Sequence, residues 1–300
     1  MRISFQARRL FCSLCLCLGL GPALAQAEQP LPLTSATSIW GEALRTVDDD
    51  ARAILRAPFK DGRRTGLFLA GIGALVLLDE PLTRAYQNTV ESAFDGFALP
   101  ELPWEDSLRP LGLASEDVWM LSGMAIGYGY GLLAGDERAQ RAALLSGKAL
   151  AYSFVTSQLV LKSLIARKRP CADLDLPDCD DGTFTDNPLD FGNYHGISVA
   201  PDAYGTSMPS YHFTQYFAAA RVYSGLYGDS WAPYGLAGLL AVSNIRGHRH
   251  WVSDMVAGTA LGLGIGEIVL RNAEADRAGR LTAAPVMTGD GGGVALNMAF

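Results

Sequence analysis

Cations are in the minority in this chain, with 24 Lys and Arg against 31 Asp and Glu. That balance excludes nucleic acid as a partner, because binding to a phosphate backbone draws on a cationic surface. Long uncharged runs are also scarce. A membrane-crossing helix takes about 20 apolar residues, with a floor near 17, and only Val118 to Gly135, 18 residues without charge, clears it. There is no internal repeat, low-complexity block or Pro/Ser-rich linker, so the chain reads as one domain. No H-E-x-x-H spacing and no calcium-loop spacing is present, which leaves no recognised metal motif. Histidine is limited to four residues, and three of them fall within one stretch of 39 positions, from His212 to His250.

The N-terminus reads as an export signal over residues 1–25. Arg2, Arg8 and Arg9 precede the apolar run Leu10 to Leu20, and Ala23-Leu24-Ala25 supplies small residues for cleavage. Without this segment, residues 26–300 form a single domain with 21 basic and 31 acidic residues, a net charge of −10. Cys12, Cys15 and Cys17 leave with the signal. Cys171 and Cys179 remain, an even pair in an exported chain, and are expected to form a disulfide.

The rest of the chain is mostly helical by periodicity. Ser38 to Phe59 places Trp40, Leu44, Val47, Ala51, Ile54 and Leu55 at helical spacing, and Asp48-Asp49-Asp50 reads as its solvated face. Further helices are expected over Thr65–Leu78, Val118–Gly135, Ala142–Arg167, His212–Tyr227, Trp231–Ile245 and Asp254–Leu270. Small residues are frequent in them, including Gly258, Gly262 and Gly266, and permit close helix approach. Pro170 to Met208 is a long acidic connection, a lid or rim whose aspartates read as solvated. The tail over 281–300 alternates about a glycine-rich turn and is expected to form a small β-hairpin.

Three segments carry chemistry. In Ser243 to Asp254, His250 and Asp254 lie four apart, so on a helix they share a face and the carboxylate can orient the ring. An imidazole so held can attack a phosphoryl group and split hydrolysis into two steps; the same spacing also fits a helix-capping pair. In Ser207 to His212, His212 opens an apolar run at a helix N-terminus, where anions are favoured, and is suited to general-acid work. In Lys162 to Pro170, Lys162 and Arg169 are seven apart, about two helical turns, and can neutralise phosphate oxygens together. Arg167 and Lys168 between them read as a basic helix end facing water.

The order and spacing of these segments resemble the type 2 phosphatidic acid phosphatase superfamily. Its pattern is K-x6-R-P, then P-S-G-H, then S-R-x5-H-x3-D. Lys162, Arg169 and Pro170 complete the first; the second reads Pro209, Ser210, Tyr211, His212; the third reads Ser243, Asn244, His250, Asp254. The resemblance implies an all-α helical bundle, to which the C-terminal hairpin is appended. It implies His250 as nucleophile, Asp254 as its orienting group and His212 as general acid, with Lys162, Arg169 and Ser210 on the phosphate. No cofactor is implied. The expected substrate is a phosphorylated small molecule, a phosphomonoester, or a lipid phosphate or diphosphate, met in the periplasm or at the periplasmic face of a membrane. Tyr211 stands in place of a phosphate-approaching glycine, and Asn244 in place of an arginine that Arg246 or Arg249 would have to replace. These departures motivate the alternative of a weakened or inactive phosphate-binding member. A vanadate-dependent haloperoxidase, which uses the same pocket, is a further alternative.

Overall fold

The computed structural model describes residues 34–108, 113–176, 179, 182–194, 196–197, 204–288 and 291–298. The export signal read at 1–25 lies outside the described residues. The first expected helix is two, α1 (Thr34–Arg45) and α2 (Val47–Lys60), which meet where Thr46 leaves helical geometry at φ −90°, ψ 6°. Its apolar stripe covers the core only in part, through Ile54 beside the buried Ala43. Ile39 and Ala43 are buried, whereas Leu44, Leu55 and Phe59 are exposed, the last by 85%. Nor is the acidic run wholly solvated. Asp50 is fully buried and meets Lys148 at 2.6 Å. Each charge interrupts an apolar helix when read alone, and together they neutralise each other inside the bundle.

Next come α3 (Gly62–Leu77), α4 (Asp79–Tyr86) continued by a π-helical turn over Gln87–Glu91, and the short α5 (Glu105–Leu108). Then follow α6 (Ser115–Ala134) and α7 (Glu137–Ser153). A π-helical segment, Phe154–Leu161, extends α7 directly into α8 (Lys162–Ile165). After the connection come α9 (Tyr211–Leu226), α10 (Ala232–Val242), the single turn α11 (Ile245–His248) and α12 (Val252–Arg280). The all-α bundle is thus present. Its small sheets are a parallel pair, β1 (Arg169–Pro170) with β2 (Phe184–Thr185), and the expected hairpin. The hairpin's antiparallel strands are β3 (Leu281–Thr288) and β4 (Gly291–Met298), paired from Leu281 with Met298 to Thr288 with Gly291.

Helices α12 and α9 form the central contact. A Cβ at Gly258, Gly262 or Gly266 would lie 2.5, 2.2 and 2.5 Å from the carbonyl oxygens of Ser210, Thr214 and Ala218. Only glycine at this four-residue interval lets the two backbones meet, and their meeting sets His212 and Asp254 on one wall. Tyr216, Ala219 and Ala220 of α9 then pack with Met120, Met124, Ala143 and Leu150 of α6 and α7. On the opposite side Ala218 and Val222 join Ile265 and Val269 of α12.

By length and composition two helices suffice to cross a membrane, Glu137–Ile165 and Val252–Ala278, and a third does so if the 69° bend joining Gly62–Leu77 to Asp79–Glu91 is counted as one span. This differs from the charge-free count, which singled out Val118 to Gly135. Counting to the nearest charge is too strict where Lys148 or Glu267 is a single charge within a long apolar helix.

The long connection is tied down where it is described. Cys171 and Cys179 form the expected disulfide. Gln87 donates to the Cys171 carbonyl at 2.8 Å and accepts from the Leu174 amide at 3.1 Å. Asp175 pairs with Arg84 and accepts from Asn88, and Asp190 meets Lys168 at 3.1 Å. Asp175 and Asp190 thus anchor the loop, while Asp173 and Asp186 are exposed as a solvated rim requires; Asp178, Asp180, Asp181 and Asp202 lie outside the described residues.

Candidate active site

Helix α8 ends at Ala166, which takes left-handed geometry at φ 48°. That reversal turns the following basic residues in different directions. Lys162, on the helix, is buried, and its ammonium donates to Gln158 Oε1 at 2.9 Å. Arg169, on β1, donates to the His248 carbonyl and approaches Thr206 Oγ1 at 3.4 Å. Arg167 does not face water. It is 0% exposed, stacked between the Phe191 and Trp251 rings, and its guanidinium reaches Asp254 Oδ1 at 2.7 Å and Asp79 Oδ2 at 2.8 Å.

Asp254 is therefore held from several sides. Besides Arg167 it accepts from Ser207 Oγ and, at 3.1 Å, from the Trp251 amide. Its Oδ2 lies 3.8 Å from His250 Nδ1, an electrostatic distance longer than a hydrogen bond. His250 is 3% exposed, and among the described residues neither of its ring nitrogens has a hydrogen-bond partner. Ser210 Oγ is likewise buried without one. Buried polar atoms are almost always paired, so unpaired atoms beside two cations mark a place for a ligand with acceptor oxygens. Burial holds the His250 pKa well below the imidazole range, and the charges of Arg169, Lys162, His248 and His212 push it the same way. The ring is neutral, with a lone pair available.

His212, in the first turn of α9, completes the cluster. Its Nε2 lies 3.7 Å from Asp117 Oδ2, and its ring centroid is 4.7 Å from that of His248. Asp117, from the start of α6, is itself held by Gln215 and by the Ala114 amide at 3.3 Å. His248 is pushed down to about 3 by burial, reinforced by the charges of His212 and Arg169. Tyr211, at the first position of α9, lays its ring 6.0 Å from the Lys162 ammonium and edge-on to Phe154.

Lys162, Arg169, Ser210, Tyr211, His212, His250 and Asp254 thus converge. Arg246 does not. The turn α11 is helical, so Arg246 points away from the site, half-exposed, and pairs with Asp95 at 3.1 Å. Arg249 stacks on Phe184 at 4.3 Å. Asn244 is exposed, in left-handed geometry at φ 47°, with its amide on the Phe97 carbonyl. Ser243 faces Glu116, to which it donates at 2.9 Å. The motif spacing did not flag Asp117, Asp79 or Arg167; the available signal for both acids was a carboxylate abutting an uncharged helical run. Among the described residues, no three His, Cys, Asp or Glu side chains gather as a metal ion requires.

Comparison with known proteins bears on the same region. Residues 142–277 match the family model of the PAP2 superfamily, a span containing all seven convergent residues. A lipid A 1-phosphatase of Porphyromonas gingivalis is 35% identical over 83 residues, which cover 26% of this chain. The match spans about a fifth (19%) of that relative's length. No solved structure matches. Over residues 142–277 the chain is similar to the PAP2 superfamily.

Proposed function

We propose that this chain is a phosphatase that hydrolyses a phosphomonoester or lipid phosphate through a phosphohistidine, without a metal. The observation that carries this reading is the buried, neutral and unpaired His250 beside Ser210, Lys162 and Arg169. Lys162, Arg169 and the Ser210 hydroxyl neutralise and bind the phosphoryl oxygens. His250 attacks phosphorus with a ring lone pair, and the P–O bond to the alcohol breaks as the N–P bond forms. Protonated His212 gives its proton to the departing oxygen. In the second step neutral His212 takes a proton from water, which displaces His250 from phosphorus and releases inorganic phosphate. Asp254 balances the imidazolium charge that develops on His250 from 3.8 Å away.

The P. gingivalis lipid A 1-phosphatase supports a lipid phosphate as substrate, and the long apolar helices support action at a membrane. The export signal expected at residues 1–25 supports a reaction on the periplasmic side. The alternative of a binding protein without turnover draws on Tyr211 and on the arginine that Asn244 replaces. The purified protein should release phosphate from a monoester in the presence of chelator, and His250→Ala should abolish release. Turnover that persists in the variant overturns the assignment of the nucleophile.

A further inference from the structure

We propose that α2 and the first turn of α3 rest on an anionic phospholipid surface, with Leu55 and Phe59 inserted among the acyl chains and three cations on the headgroup phosphates. This rests on the reading that the chain acts at a membrane, and not on the chemistry assigned to His250. Residues 26–300 carry a net charge of −10, yet Arg52, Arg56, Lys60, Arg63 and Arg64 follow one another with a single acid, Asp61, between them. Arg52 is paired with Asp48 and Asp49, and Arg64 with Asp61. Among the described residues Arg56, Lys60 and Arg63 have no such partner, and every residue from Leu55 to Arg64 is exposed.

The helical period sets these side chains against one another. Asp50 and Ile54, four apart, turn to the bundle, where Asp50 meets Lys148 and Ile54 packs beside Ala43. Leu55 and Phe59, also four apart, are 73% and 85% exposed. Arg52, Arg56 and Lys60 repeat at the same interval, so a cationic stripe runs beside the apolar one. Such a helix lies in the headgroup layer: the leucine and phenylalanine sink below it, while the long basic stems reach back to the phosphates. A small acidic partner would match the cations, but the apolar surface extends beyond them. The cations stop at Arg64, residues 65–78 carry no charge, and Leu67, Phe68 and Leu69 are exposed on α3. Basic residues followed by uncharged ones are what a chain shows on passing from headgroups into hydrocarbon, so a bilayer is the partner that fits both parts.

The test places the full chain in nanodiscs of phosphatidylcholine, with and without phosphatidylglycerol, all lipids brominated near the glycerol end of their acyl chains. Phe59→Trp adds one indole at an exposed position to the five tryptophans already present, and Leu55→Trp serves if that variant does not fold. Bromine should quench the variant more than the parent in the anionic discs, and the excess should be smaller in the neutral ones. Each cation near an anionic surface contributes about a fivefold change in occupancy, so adding Arg56→Glu, Lys60→Glu and Arg63→Glu together should bring the excess in anionic discs down to the neutral level or below. Parent protein that enters discs of neither kind overturns the membrane reading and this proposal with it. Parent protein that enters them, with no excess quenching in the tryptophan variants, overturns this proposal alone and leaves the face to a second copy or another protein. An excess that is equal in the two discs and unmoved by the charge reversals also overturns it.

Discussion

Asp117 Oδ2 lies 3.7 Å from His212 Nε2, although the two residues are 95 positions apart and belong to different helices. The site thus contains two histidine–carboxylate pairs, His212 with Asp117 and His250 with Asp254. Asp117 acts through His212, by orienting its ring. Replacing Asp117 with Asn should slow hydrolysis of an alkyl phosphate by about 10- to 100-fold, part of the roughly 10²–10⁴ that a general acid supplies. p-Nitrophenyl phosphate, whose leaving group needs little protonation, should lose about threefold or less. Equal losses on the two esters would remove Asp117 from this role.

Arg167 is a keystone of the fold more than a ligand for phosphate. Its guanidinium separates two buried carboxylates, Asp79 and Asp254. Arg167→Met strands both charges and should destabilise the protein by about 3–5 kcal/mol. Adding Asp79→Asn should recover part of the loss, since one stranded charge is then gone. Denaturant unfolding in mild detergent reads both effects, and a loss under about 1 kcal/mol would contradict the account.

The two candidate arginines should behave differently. Arg169→Ala should lower kcat/KM by about 10²–10³, the usual cost of losing one donor to the transition state. Arg246→Ala breaks only an exposed ion pair with Asp95 and should leave kcat/KM within about twofold, since such pairs contribute little. Steady-state kinetics of both variants on one ester decides. A large loss at Arg246 would mean that the turn α11 unwinds when substrate binds.

Acid should destabilise the fold through its buried imidazoles. His248 is pushed down to about 3, and His250 is also depressed, whereas in the unfolded chain each takes a proton near pH 6.5. Below that pH the unfolded state binds more protons, so stability falls as pH falls, by up to about 1.4 kcal/mol per pH unit for each histidine. For His248 the loss continues to about pH 3. His248→Gln removes one of these contributions, so its stability should decline less steeply between about pH 6 and 4. Unfolding midpoints at three pH values would show it, and an unchanged slope would contradict the assignment.

What could be read in advance follows from how local each relationship is. His250 and Asp254, or Lys162 and Arg169, are close in the chain, so their spacing pairs them even though His250 precedes α12 and Arg169 lies on β1 beyond the end of α8. Arg167 meets Asp79 across 88 positions and Lys148 meets Asp50 across 98; no periodicity links such partners, and each charge read alone looks like a solvated one. The first helix was misjudged for a related reason. An apolar stripe identifies a face that avoids water, and Leu44, Leu55 and Phe59 show that such a face can point away from the core of its own chain. Asn244 takes left-handed geometry, which its place in the motif does not reveal, and no nearby arginine stands in for the one it replaces, since Arg246 pairs with Asp95 and Arg249 stacks on Phe184.

The π-helical segment Phe154–Leu161 gives the helix Glu137–Ile165 two rotational phases. Hydrogen bonds from i to i+5 wind the backbone more slowly than an α-helix does, so a stripe drawn through α7 drifts off axis before it reaches Lys162. The half built by α7 is timed to the bundle core, through Ala143 and Leu150, and the half after the segment is timed to the phosphate cluster. One continuous rod can then serve two partners that lie at different clock positions around it. A relative of equal length with an unbroken α-helix in this stretch could keep every motif letter and still present its lysine about 100° away from the histidines.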